Sequence, residues 1–187
     1  MFVVIEGDNG TGKTTVSHIL NSQYGFEFIT EHQEILELEQ QSKRFAAGSA
    51  ERFEAFLDYN SVCGRHAEKY DRALLARYWI STVSAAYSDG LLDINETLKK
   101  ADMLMETMVI PDFVFRLKCG FDKRIERINK RAAADGSDDR TAERDKRYSF
   151  ILDRLQERTG IITEISTDSI SPANVAGMIM NYIGEAI

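Results

Sequence analysis

Phe2-Val3-Val4-Ile5-Glu6-Gly7-Asp8-Asn9-Gly10-Thr11-Gly12-Lys13-Thr14-Thr15 decides the fold. Its first four residues form an unbroken apolar run, the pattern of a strand buried on both faces of a parallel sheet. The run ends in a glycine-rich turn. Val16, Ile19, Leu20 and Tyr24 then recur at helical spacing up to a stop signal at Gly25. Between strand and helix, Gly7 to Thr14 matches G-x-x-x-x-G-K-[ST]. Glycines let successive backbone N–H groups face inward around phosphate oxygens, and the helix start adds the positive end of its dipole. The motif therefore predicts a site for a nucleoside triphosphate such as ATP. Gly7, Asn9, Gly10, Thr11, Gly12 and Thr15 form its cradle, Lys13 bridges the β and γ phosphates, and the Thr14 hydroxyl holds Mg2+.

Outward from this stretch, strands and helices alternate. Phe26 to Thr30 reads as a second strand, Ala73 to Ala76 as a third, Phe113 to Leu117 as a fourth and Gly160 to Ile165 as a fifth. Residues 31–69 read as helical with a break at Ala46-Ala47-Gly48-Ser49, where Ser49 caps a new helix carrying Phe53, Phe56 and Leu57. Helical composition resumes from Ser81 to Leu98 and is interrupted at Asp89-Gly90. Two further helices start at Phe121 and around Tyr148, separated by the small polar run Ala134 to Asp139, and a last helix follows Ser171-Pro172. The expected fold class is α/β: an open parallel sheet of about five strands with helices on both faces. At 187 residues the chain is read as a single domain, 1–187.

The net charge of −7 argues against a general polyanion binder, so no nucleic-acid partner is expected and any anion site must be built locally. The charge is uneven. Residues 123–158 hold eleven cations against eight anions, with Arg124, Arg127 and Arg131 on one helix face and Arg140, Arg144 and Arg147 on another. Alone, these trios would suit solvated helices laced with ion pairs. Beside a triphosphate site they gain a role, because phosphoryl transfer needs cations around the migrating group and a cover that excludes water. Residues 131–147 are therefore expected to form a lid in which Arg131, Arg140 and Arg144 act in catalysis. Cys63 and Cys119 are isolated, which indicates neither a disulfide framework nor a zinc site and fits a reducing cytoplasm. The start lacks the basic leader of a signal peptide, and no apolar run reaches the ~18–20 residues of a membrane span.

With these motifs in place, the chain resembles the thymidylate kinase family of P-loop nucleoside and nucleotide kinases from end to end. The opening to Thr15, Pro111-Asp112-Phe113-Val114, the segment Glu126 to Arg131 followed by Asp139-Arg140-Thr141-Ala142-Glu143, and Arg77 to Thr82 carry the resemblance. It implies transfer of the γ-phosphoryl of ATP, with magnesium, to a deoxynucleoside monophosphate, thymidylate (dTMP) first among them. It also implies Arg77 and Phe56 at the acceptor, Asp8 and Tyr87 as further substrate contacts, and a homodimer. Around the acceptor the chain departs from the family. An Asp expected before Arg77 is Ala76, Asn9 stands at the loop's acidic position, and the second strand runs into Thr30-Glu31-His32 without the acceptor-phosphate Arg. Tyr87 falls two residues late, and two residues turn a helix by roughly 200°. Two alternatives follow: a deoxynucleoside kinase using Glu31 as base on a sugar hydroxyl, or an ATP-binding paralogue without transfer.

Overall fold

A computed structural model describes the backbone of residues 1–135 and 142–186 and the side chains of 1–130 and 144–185. Strand β1 (Phe2–Glu6) is buried along its whole length and pairs in parallel with β3 (Ala73–Ala76) on one side and β4 (Phe113–Lys118) on the other. The short β2 (Glu27–Phe28) and β5 (Ile162–Ser166) form the edges, giving the parallel order β2-β3-β1-β4-β5.

Strand periodicity divides the core in two. Val3, Ile5, Leu74 and Phe115 face α1 (Lys13–Tyr24) and α8 (Pro172–Ala186) through Val16, Leu20, Val175 and Ile179. Phe2, Val4, Leu75 and Val114 face the opposite layer, made of α2 (Gln33–Ser42), α3 (Ala50–Ala67), α4 (Trp79–Ser88), α5 (Ile94–Thr107) and α7 (Ala142–Thr159). Helix α6 (Phe121–Asp135) links β4 to α7. Among the described residues, no helix is long and apolar enough to cross a membrane.

The sequence reading and the structure differ at both sheet edges. The expected strand from Phe26 to Thr30 keeps only two paired residues. Ile29–Glu31 tightens into a 3-10 turn, closed by the His32 N–H on the Ile29 carbonyl at 3.1 Å, with Ile29 driven into the core. The last strand begins at Ile162 rather than Gly160, because Gly160 adopts φ +66° and terminates α7. The break before α3 is where it was expected, and Ser49 accepts the Arg52 N–H at 3.1 Å. After the Asp89-Gly90 interruption, α5 restarts on a capping box between Asp93 and Glu96.

Candidate active site

The glycine-rich loop crosses the C-terminal edge of the sheet, where open α/β sheets place ligands. Two glycines are required by close approach. At Gly7 (φ +133°) a Cβ would lie 2.3 Å from the Leu117 carbonyl oxygen, and at Gly10 (φ +79°) 2.8 Å from that of Arg124. The Lys13 ammonium donates to the Gly7 and Asp8 carbonyls at 2.8 and 2.6 Å, and the Thr11 hydroxyl donates to the Asp8 carbonyl at 2.9 Å. Gly12, the N-cap of α1, brings no side-chain cap, so phosphate oxygens can reach the first-turn N–H groups.

Thr14 and Thr15 are exposed in that first turn. A magnesium ion held mainly by phosphates and water needs few protein oxygens, and the Thr14 hydroxyl fits as one of them. Among the described residues no cluster of three His, Cys, Asp or Glu side chains is placed to hold a metal.

Two arginines brace the loop from behind. Arg127 donates to the Gly10 carbonyl at 3.1 Å and to the Thr167 carbonyl at 3.2 Å. Arg124, buried with Asp145, bonds to it through both terminal guanidinium nitrogens and reaches the Asn9 carbonyl at 3.5 Å. Asp8 is buried and accepts the Ser149 hydroxyl at 2.8 Å, so α7 grips the loop at a second point. Sequence reading grouped Arg124 and Arg127 with Arg131 as one helix face; their i, i+3 spacing gave the face but not its target.

Beside the loop lies a cavity of about 310 Å3 between the end of β3 and helices α2, α3, α4 and α7. Phe56 lines it, with the Arg52 guanidinium 5.7 Å from its ring centroid, and so do Asn60 and Thr82, joined by a 2.7 Å hydrogen bond. Thr30 and Ala76 also line it, and no carboxylate stands at position 76. Arg77 joins cavity and loop: it lines the cavity, and its guanidinium donates to the Asn9 side-chain oxygen and, at 3.0 Å, to the Tyr148 hydroxyl. Its backbone is left-handed, φ +76°, a conformation that costs a non-glycine residue about 1–2 kcal/mol. Glu6 stands beside it at the end of β1, wholly buried, accepting the Tyr78 N–H at 2.8 Å and the Ser81 hydroxyl. Burial pushes the Glu6 carboxyl above its ordinary value, against the pull of Ser81, Arg77, Tyr78 and Lys13.

Two expected site residues lie off the cavity, and a third stands in its wall. The 3-10 turn gives Thr30 to the cavity and turns Glu31 toward α1, where it is half exposed and 3.5 Å from the His18 ring. Helix α4 lines the cavity with Ser81, Thr82, Ala85 and Ala86. Tyr87 faces α7 instead, under the Arg147 guanidinium at 5.1 Å and beside Phe150. Arg144 stands in the cavity wall, paired with Asp89 through two bonds, one of 2.9 Å. Arg140 lies outside the described residues, and Arg131 is described in backbone only.

This sheet order, loop and flanking cavity define the P-loop nucleoside and nucleotide kinase fold. Solved structures share it over nearly the whole chain. A deoxyadenosine kinase from M. mycoides with bound dATP matches 98% of this chain and 100% of its own, with TM-score 0.70 and 19% identity. The same enzyme with products dCMP and a flexible dCDP gives TM-score 0.69 at 17% identity, covering 99% and 100%. A thymidylate kinase from Candida albicans gives TM-score 0.72 at 14% identity, covering 98% and 91%. At these identities the likeness establishes the fold. No family model and no curated protein sequence matches the chain.

Proposed function

We propose that the chain is a kinase that moves the γ-phosphoryl group of ATP onto a deoxynucleoside monophosphate, with thymidylate as first candidate. The observation that carries this reading is Arg77, a cation shared between the acceptor cavity and the phosphate loop. A monophosphate oxygen attacking the γ-phosphorus needs no base: one P–O bond forms, the β–γ bridging bond breaks, and ADP leaves. A nucleoside hydroxyl must lose a proton. Among the described residues two carboxylates line the cavity and both are paired with cations, Asp89 with Arg144 and Glu39 with Lys43 at 2.8 Å, and Glu31 is off the lining. Cations without a disengaged carboxylate favour the phosphorylated acceptor.

In this mechanism the loop amides and Lys13 hold the triphosphate, and Lys13 exchanges its bonds to the loop's own carbonyls for phosphate oxygens. Arg77 orients the acceptor phosphate and Phe56 packs on its base. Arg131 and Arg140 cover the transferring group and exclude water. Magnesium, when bound at Thr14, would neutralise the terminal phosphates. A cytoplasmic homodimer belongs to the same reading; it rests on the family resemblance and on the buried, unbridged Cys63 and Cys119.

The test is product analysis after incubation with ATP, magnesium and a panel of nucleosides and their monophosphates. Conversion of monophosphates to diphosphates, thymidylate fastest, is expected. Faster phosphorylation of nucleosides would replace this reading with the Glu31 alternative, which the M. mycoides likeness also suits. ATP binding without any product would favour the non-catalytic one.

A further inference from the structure

Arg77 is held by a chain of hydrogen bonds that ends on a buried carboxyl group. Its Nη1 donates to the Tyr148 hydroxyl at 3.0 Å and reaches the Ser81 hydroxyl at 3.4 Å. Tyr148 donates to Ser81 Oγ at 2.9 Å, and Ser81 donates to Glu6 Oε2. The second Glu6 oxygen accepts the Tyr78 N–H. Guanidinium can only donate, so Arg77 sets the direction of the protons that run through Tyr148 and Ser81 to the Glu6 oxygen. Glu6, Ser81 and Tyr148 are buried, while Arg77 remains half-buried at the cavity.

We infer that Glu6 is a positioning residue which, through the hydroxyls of Ser81 and Tyr148, holds the Arg77 guanidinium ready for the acceptor phosphate before any ligand arrives. The arrangement explains a cluster of costly features with one cause. A carboxyl group buried completely on a central strand is costly unless it is hydrogen-bonded, and both Glu6 oxygens are. A left-handed arginine persists only where the surroundings over-determine it, and such strain collects at functional sites. Here the Arg77 N–H is held by the Ile5 carbonyl at 3.0 Å, Tyr78 by Glu6, and the guanidinium by Tyr148 and Asn9. Both termini of the residue are thus fixed from β1, and its guanidinium is held in part by the loop. The side chain is aimed by α7, the helix that also grips the loop through Ser149 and Asp145. Preorganising a phosphate-binding cation removes ordering cost at the moment of binding.

The purpose of this network rests on the monophosphate reading; its geometry does not. The test compares wild type with Tyr148→Phe, which keeps the ring and removes only the hydroxyl, Ser81→Ala, and the double variant, with Glu6→Gln as a second route to the same break. Each single change should raise the KM for thymidylate by about tenfold while the KM for ATP stays within about twofold. The double variant should be no worse than the more affected single one, because both interrupt one chain. Equal rises in both KM values, multiplied effects, or no change would overturn the inference. A ligand-free readout separates it from the function: 15N NMR should show an ordered Arg77 guanidinium in wild type that becomes mobile in Tyr148→Phe. If wild type phosphorylates no monophosphate, the functional reading falls and the NMR comparison still decides the positioning. A guanidinium already mobile in wild type would refute it.

Discussion

The glycine-rich loop and the cavity beside it are neighbours built in opposite ways. The loop is eight consecutive residues whose binding groups are mainly backbone amides, so its geometry follows from glycine placement between one strand and one helix. The cavity draws its described side chains from residues 30–60, 76–91 and 144–148, stretches joined only by folding. A local site tolerates drift in its surroundings as long as the motif survives. An assembled site depends on every element that supplies a wall, and Arg77 is the residue through which the two meet.

The largest effect should come from the local site. Lys13→Ala is expected to reduce turnover by at least about 10³-fold with the melting temperature little changed, measured by coupled ADP release. A stable variant retaining most activity would remove the loop from the chemistry. Next is the brace between loop and α7. Asp145→Ala leaves the Arg124 charge buried without its partner and should cost about 3 kcal/mol in urea unfolding. A small loss there would mean that the loop does not depend on α7.

On the assembled side, Arg77→Ala should raise the acceptor KM by about 10–100-fold, as expected for losing a charge-assisted bond, with ATP affinity nearly kept. Asp89→Asn, which loosens Arg144 in the cavity wall, should change acceptor KM by about two- to fivefold. The smallest effect concerns pH. Burial raises the Glu6 carboxyl above 4.5 in the folded protein, so the folded state holds that proton more tightly than the unfolded chain. Its contribution to stability is full below about 4.5 and is lost as pH rises through the raised folded value. Unfolding midpoints of Glu6→Gln, set against wild type from pH 4 to 7, should lack this decline.

The same contrast explains what could be read from sequence. The strand, loop and first helix were legible because one contiguous pattern specifies them, and α1 spans Lys13–Tyr24 as the periodicity implied. Ser49 announced α3 because capping is local. The Asp93/Glu96 capping box was equally local and went unread. Glu31 and Tyr87 were legible as residues but not as directions. A 3-10 turn at an edge strand, and the face α4 turns toward α7, are decided by packing. The partners of Arg127, Tyr148 and Ser149 gave no signal, since they lie between 40 and 141 positions away. Arg116 shows the same limit: a wholly buried arginine in β4 whose Nη1 pairs with Asp153 at 2.5 Å, from a helix the strand pattern cannot see.

Transfer of a phosphoryl group from the loop to the cavity, as proposed, is read most directly by phosphorus NMR of the protein with ATP, magnesium and thymidylate. The β-phosphorus signal of a new deoxynucleoside diphosphate should grow in step with ADP. ADP accompanied by inorganic phosphate, with thymidylate untouched, would contradict it.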